Sequence, residues 1–447
     1  MNNYRFENVE IVPHPTARSQ ARAIRSIPAG STVISEPAFA FALLDVEKGR
    51  RCDACFRRDY EGRWLKKCTG CASYYYCDAD CQKMHWNLEH KRICKVYNRM
   101  ITLVGSRQLA RHERMDVLLL SHFLARINPF AAAGIDASSE VGPLSVFLSL
   151  LPGPGTPSDI LDMLPKPLNP QQKLTKDIYS RFQNNNFTVH SHMTIIGHGV
   201  FPLASRLFNH SCVPNAVPRY VFAPANSVVM EVVALRDVDL GEEVCVPYLD
   251  PALTQSRRQA FQFTYGFTCG CTSCTILRGL GQASEPPHSC EERTAINSAL
   301  RTYVGLGNVL GAELPMPSLA DVPTALRCVL HETYMEQLSE QFSKTAHEGE
   351  YGTAVESGLT LLALYLLLYP RNYPQVGLHL LELAKTRWNA LISSSQASTD
   401  VTEAEAQVRI TLNHARTILT IYGREGDEYG PVDEIQKLEE MLAESDQ

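Results

Sequence analysis

The chain has 447 residues, 45% of them hydrophobic and 20% charged, with a formal net charge of -6. That suffices for roughly three domains with packed cores, and it excludes wholesale disorder and the strongly basic composition of a dedicated nucleic-acid binder. The opening residues MNNYRFENVEIVPHP lack the charged-then-apolar order of a secretory signal. The longest strongly apolar run, about residues 359–369, is shorter than the ~20 residues a bilayer needs, so an intracellular soluble protein with no membrane contact is expected.

Residues 1–50 alternate short apolar runs with turn residues, and 24–30 (IRSIPAG) followed by 31–35 (STVIS) reads as strand, turn, strand. A cysteine-rich stretch fills 52–94. From residue 95 to about 130 the pattern turns helical, with Leu103, Leu109 and the apolar run 117–120. The Pro/Gly-rich stretch 151–170 reads as a loop. Strand character returns over 185–250, most clearly at 228–235 and 243–246, and a second break lies at 283–288.

The remainder reads as helical. Leu330, Tyr334, Leu338 and Phe342 recur every four residues; Val376, Leu380, Leu383 and Ala384, then Val408, Leu412, Ala415, Leu419 and Tyr422, mark further single-face stripes. Such stripes are helix-packing faces. Residues 349–354 (GEYGTA) resemble the inter-helix turn of a tetratricopeptide repeat, but the full consensus does not recur, so the tail reads as a repeat-like helical array. Residues 401–447 carry 11 acidic and 4 basic side chains, read as solvated helix faces.

The 14 cysteines are clustered, seven of them within 52–94 and three within 269–274. In order, the first cluster gives Cys52-x2-Cys55, Cys68-x2-Cys71, Cys77-x3-Cys81 and His90-x3-Cys94, the eight ligands that two tetrahedral zinc ions require. A segment this short cannot bury an adequate core, and a structural zinc supplies roughly 10–16 kcal/mol in such peptides. Spacing alone leaves open which pairs share an ion. A second block contains Asn185-Asn-Phe-Thr188, Asn209-His-Ser-Cys-Val-Pro-Asn215, Gly241-Glu-Glu-Val-Cys-Val-Pro-Tyr-Leu-Asp250 and Tyr265-Gly-Phe-Thr-Cys-Gly-Cys-x2-Cys274.

The first cluster, with Gln82 and Trp86, closely resembles the MYND zinc finger. That resemblance implies interleaved pairs: Cys52, Cys55, Cys77 and Cys81 on one zinc, and Cys68, Cys71, His90 and Cys94 on the other. The second block resembles the C-terminal half of a SET domain with its post-SET segment, and Ile27-Pro-Ala-Gly30 resembles the N-terminal half. The whole chain is thus similar to the SET- and MYND-domain protein-lysine methyltransferases. The implied fold is α+β: a β-rich split SET domain (1–50 and 185–250), an inserted MYND finger (51–95), a helical insert (96–184), a post-SET segment (251–276) and a tetratricopeptide-like helical domain (277–447). A cleft between the SET core and the tail would limit which peptides enter.

The implied activity is methyl transfer from S-adenosylmethionine to a lysine of a histone or another protein. Tyr248 corresponds to the catalytic tyrosine. Asn185, Asn209 and His210 correspond to cofactor contacts, with Phe267 stacked on adenine and Tyr265 walling the methyl site. Cys212 is expected to complete a third zinc site with Cys269, Cys271 and Cys274, leaving Cys245, Cys290 and Cys328 as buried or inert thiols. The chain departs from the family at residues 17–21 (ARSQA), which lack the glycines of the cofactor loop; this implies weaker cofactor binding, a shifted loop with Arg18 substituting, or lost activity. Asn186 replaces a glycine before Phe187, a smaller departure because asparagine tolerates left-handed backbone better than most residues.

The competing reading is a zinc-stapled scaffold that binds peptides through finger and tail. The finger region 50–99 holds 12 basic and 6 acidic side chains, about +3 once two zinc sites are counted. A proline-rich or acidic peptide is its expected partner, and nucleic acid the weaker alternative. A monomer in cytoplasm and nucleus is expected.

Overall fold

The computed structural model describes residues 6–60, 62, 64–107, 109–132, 142–154, 159–168, 171–393 and 398–444. Its strands, in chain order, are β1 Val9–Val12, β2 Gln20–Ala23, β3 Thr32–Pro37, β4 Ala40–Leu43, β5 Lys66–Lys67, β6 Tyr75–Tyr76, β7 Phe187–Ser191, β8 Thr194–Val200, β9 Asn209–His210, β10 Ala216–Val221, β11 Val229–Ala234 and β12 Cys245–Val246. The first strand of the N-terminal pair is thus 20–23 rather than 24–27. Pro28 lacks the N–H a continuing ladder needs, and Ile27 makes only an isolated bridge to Val238.

Two three-stranded antiparallel sheets join segments that lie far apart in sequence. Their orders are β10–β11–β3 and β4–β8–β7. Main-chain bonds from Ala23 N to Glu242 O and from Val244 N to Ala21 O, both 2.8 Å, extend the stitching. β11 alternates half-buried Val229 and Glu231 with buried Met230 and Val232 before running fully buried to Ala234, and β3 buries the adjacent Val33 and Ile34 where the pairing shifts register. One apolar cluster therefore spans both halves of the split core, from Val9 to Val246.

The intervening chain builds a second cluster, in which the finger's Tyr74, Tyr76 and Ile93 pack with Leu120 and Phe123 of helix Arg111–Ala132. Within it the buried Glu89 Oε1 meets His85 Nε2 at 3.0 Å and His122 Nδ1 at 2.7 Å. Tyr76 and Tyr74 hydroxyls meet the other ring nitrogens at 3.0 and 2.8 Å. A buried carboxylate is tolerable only when bonded in this way, so the network pins finger to insert. In the stretch read as a loop, residues 159–163 and 166–168 form short 3-10 turns, because Ile160, Met163, Leu164 and Leu168 have a core to fill. Residues 155–158 and 169–170 of that reading lie outside the described residues.

The tail is a succession of packed helices, including Glu332–Glu348, Tyr351–Leu368, Pro374–Ser393, Ser398–Tyr422 and Pro431–Glu444. All of the apolar run 359–369 but Tyr369 lies in an 18-residue helix, Tyr351–Leu368, which is long and apolar enough to cross a membrane by length and composition alone. Two-thirds of that helix (67%) is buried, with Ala354, Leu361, Leu362 and Leu364 inside the tail's core, as a helix apolar all round requires when its neighbours enclose it.

The loop after Tyr422 fastens the tail to the rest. Asp427 accepts from Arg51 and from the Ser191 hydroxyl, each at 2.6 Å, and Tyr60 donates to the Glu428 carbonyl at 2.8 Å. Finger, core and tail thus meet at one buried ion pair.

Candidate active site and metal centres

Three sets of four ligand atoms converge, with all atoms in a set within 4.8 Å of one another: Cys52, Cys55, Cys77 and Cys81; Cys68, Cys71, His90 and Cys94; Cys212, Cys269, Cys271 and Cys274. The local chain explains each approach. Asp78 caps helix Ala79–His85 by accepting from Cys81 N at 2.7 Å, which aims the thiol inward. A single π-turn, Trp86–His90, turns Glu89 into its buried network while His90 Nε2 stands 3.3 Å from Cys68 Sγ and 3.7 Å from Cys71 Sγ. Gly70 is required, because a Cβ there would sit 2.7 Å from Cys94 Sγ.

The donor chemistry fits zinc. In the first set, the thiols of Cys55 and Cys77 push Cys52 down, and Cys52 in turn pushes Cys55 up, so all four can ionise together only around a cation. Burial pushes His90 down to about 3, which leaves the neutral imidazole that binds metal. Ala225 N–H donates to Cys81 Sγ at 3.2 Å, so the turn between β10 and β11 supports the finger's thiolate from outside.

The third set is tied to Tyr248. β12 lies parallel to β9, with Cys245 opposite Asn209 and Val246 opposite His210. Asn215 locks this pairing, donating to Glu243 O and accepting from Cys245 N, both at 2.8 Å. Tyr248 N donates to His210 Nδ1 at 3.0 Å, so Nδ1 is the bare nitrogen and Nε2 carries the proton, 3.1 Å from Cys212 Sγ. One imidazole therefore bridges a metal thiol and the main chain of Tyr248.

A cavity of about 1410 Å³ opens beside these strands. Arg18, Asn185, Asn209, His210, Tyr248, Tyr265 and Phe267 all line it, so every non-metal residue singled out from the sequence shares one space. The rings cluster: Tyr248 lies 5.1 Å from Tyr265 and 6.4 Å from Phe267 between centroids, and His210 lies 5.3 Å from Tyr248. Gly266, at φ +74°, makes the left-handed step between Tyr265 and Phe267. The Tyr248 hydroxyl donates to Phe208 O at 2.6 Å. Burial pushes both phenols up, Tyr265 to about 12 and Tyr248 further, so both stay protonated at neutral pH. From the tail, Tyr369, Tyr373 and Gln375 complete the wall, and the Tyr369 hydroxyl reaches Asp250 Oδ2 at 3.2 Å.

Residues 17–21 hold their place without glycine. His14 Nδ1 accepts from Ala17 N at 2.8 Å, Asn209 Nδ2 donates to Ser19 O at 2.8 Å, and Arg206 reaches the Ser19 hydroxyl. Arg18 is exposed at the cavity rim and donates to Ser149 O. Asn186 does not adopt positive φ, so its tolerance of left-handed backbone is not called on there. Among the remaining thiols, Cys328 is buried and Cys245 half-buried, but Cys290 is exposed, since it opens helix Cys290–Val304 on the surface.

Two residues escaped the sequence reading. Phe261 lies 4.4 Å from His210 and 5.1 Å from Phe267. Arg257 is fully buried, donates to Pro251 O at 2.7 Å and Ser273 Oγ at 2.9 Å, and lends positive charge to Cys212 and Cys274. A cation beside four thiolates is the one signal that could have found it; the aromatic has no sequence signature of its own.

Two β-rich halves stitched across a metal-binding insertion, with an NHSC strand lying parallel to the strand that leads to a cavity tyrosine, define a split SET core. The family model of the SET domain matches residues 20–249. The chain belongs to the SET-domain family, in its SET- and MYND-domain branch. It is similar to N-lysine methyltransferase SMYD2-B of Xenopus laevis, 27% identical over 318 residues, covering 66% of this chain and 68% of that protein. It is also similar to N-lysine methyltransferase SMYD2 of Rattus norvegicus, 29% identical over 273 residues, and of Homo sapiens, 28% over 273; each match covers 57% of both chains. The chain thus spans little more than half the length of these last two relatives.

Proposed function

We propose that this chain is an S-adenosylmethionine-dependent protein-lysine N-methyltransferase. The observation that carries the reading is the single cavity that unites Asn209, His210 and the ring cluster around Tyr248. The similar N-lysine methyltransferases point the same way.

The cofactor would supply a methyl group already activated on sulfonium. The chain must then bind that cation, present a neutral amine and align the two. A free lysine has a pKa of ~10.4, so deprotonation at neutral pH costs roughly 4–5 kcal/mol. An apolar, ring-lined channel lowers that cost by disfavouring the ammonium. The faces of Tyr248, Tyr265 and Phe267 attract a cation before transfer, and the Phe208 carbonyl with the Tyr248 hydroxyl offers oxygens to orient the amine. Tyr248 acts as a protonated phenol, by position and dipole rather than as a base. Asn185, Asn209, His210 and Phe267 hold the cofactor, and Arg18 closes the rim.

Tyr369 and Tyr373 narrow the entrance, so the tail selects which lysine-bearing segments enter. The finger takes a separate acidic or proline-rich peptide, and the protein acts as a monomer in cytoplasm and nucleus. The test is incubation of zinc-loaded full chain with methyl-labelled cofactor, histones and whole-cell extract, with mass spectrometry of the products. Methyl-lysine is expected. Calorimetry showing no heat with millimolar S-adenosylmethionine would favour the scaffold reading instead.

A further inference from the structure

Asn184, Asn185 and Asn186 form a stretch of the cavity wall between helix Gln172–Phe182 and β7. The Asn186 side chain is committed at both ends. Its Nδ2 lies 3.1 Å from Asp116 Oδ1, and its Oδ1 lies 3.0 Å from His198 Nδ1. A carboxylate only accepts, so the amide must turn Nδ2 toward Asp116. Its Oδ1 also only accepts, so His198 must carry a proton on Nδ1. Burial pushes His198 down to about 4, so the ring is neutral and its other nitrogen bare.

Both anchors sit on rigid elements. Asp116 is buried on helix Arg111–Ala132, and His198 lies in β8 opposite Thr188 of β7. The donor–acceptor order Asn186 to Asp116 and His198 to Asn186 can be met in only one orientation. Helix and sheet are therefore joined through the residue that precedes β7, at the edge of the cavity. A glycine at 186 would leave this stretch to lose backbone entropy on binding; the tethered amide removes that freedom beforehand.

We infer that Asn186 is a positioning residue for the sulfonium cofactor: the Asp116–Asn186–His198 chain of hydrogen bonds fixes the main chain of residues 184–186 along the cavity wall. The inference rests on the methyl-transfer reading. It assigns Asn186 an effect on cofactor affinity and none on the chemical step.

The test is calorimetric titration of zinc-loaded full chain with S-adenosylmethionine at pH 8, where Asp116, pushed up to about 6 by burial, is ionised. Asn186→Asp sets two carboxylates face to face. The cofactor Kd and KM should rise at least about tenfold, with kcat and the peptide KM within about twofold. Adding Asp116→Asn restores the order, because the new carboxylate accepts from both His198 and the new amide. The double variant should return to within about threefold of wild type. A merely structural role would lower the active fraction, and so kcat, at unchanged cofactor KM. Should the single variant not fold, the double variant and Asn186→Gly carry the test; the glycine variant should bind about tenfold more weakly.

Wild-type affinity in Asn186→Asp or Asn186→Gly, or a double variant no better than the single, would overturn the inference while leaving the methyl-transfer reading intact. Wild-type protein that binds no cofactor would overturn both.

Discussion

In the insertion, eight ligand residues between Cys52 and Cys94 close two sites among themselves. Along the cavity, the walls come from segments as distant as Ser19 and Tyr373, and the nearby ligand set reaches from Cys212 to Cys274. The finger's ligands are all local in sequence, while helix Arg111–Ala132 and the β10–β11 turn brace them from outside. The cavity's order is assembled across the chain, by the strand pairing of Asn209 with Cys245, by His210 between a thiol and Tyr248, and by tail tyrosines at the rim. Similar metal sites thus do different work: two hold a module together, and one holds an active site in register.

Ligand removal breaks the comparison most sharply. Cys68→Ser and Cys212→Ser should each lose one zinc by atomic absorption. The first should lower the melting temperature with cofactor affinity within about threefold of wild type. The second should lose cofactor binding by at least about a hundredfold, a loss of roughly 2.7 kcal/mol, because the thiol beside His210 goes with the metal. Equal losses of affinity in both variants would erase the distinction drawn between the sites.

The junction of the two regions is the next target. Asp427 and Arg51 are 3% and 4% exposed as side chains, so Asp427→Ala removes one of the two carboxylates that meet the buried guanidinium, Glu47 at 2.7 Å remaining. Unfolding stability should fall by about 1–3 kcal/mol in denaturant titration. A change under about 1 kcal/mol would mean that the tail is not fastened there.

A pH-dependent effect concerns the core beneath the cavity. Glu36 accepts from Leu203 N and Ala204 N, both at 2.8 Å, yet burial pushes its carboxyl up to about 7. Its folded value lies above its unfolded one, so the stability it contributes is complete below about pH 4.5 and is lost as pH rises through about 7. At saturating zinc, wild type should lose up to about 3 kcal/mol more than Glu36→Gln between pH 5 and pH 8. Parallel profiles would remove Glu36 from the pH dependence.

Legibility in the sequence follows the same division. The finger's ligands stand out because a metal chelate demands fixed short spacings, although which pairs share an ion came only with the family resemblance. The NHSC and post-SET motifs made the cavity readable, because they carry residue types that packing alone would not select. Tail helices were legible from their stripes. What stayed hidden depends on contacts across the fold. Gln20–Ala23 is a strand because β1 and residues 242–244 are beside it, not because of its own pattern. Arg257, Phe261, Asp427 and the Glu89 network acquire meaning only from partners that periodicity cannot supply. At Asn186 the substitution was visible and its reason was not: the amide serves hydrogen bonding, and left-handed backbone plays no part.

The most direct measurement compares Tyr248→Phe with wild type in two assays on the same zinc-loaded protein, calorimetric binding of S-adenosylmethionine and single-turnover transfer of its labelled methyl to a lysine acceptor. Binding should stay within about threefold while transfer falls by at least about a hundredfold, since only the hydroxyl over Phe208 is lost. Transfer at the wild-type rate by Tyr248→Phe would contradict the account.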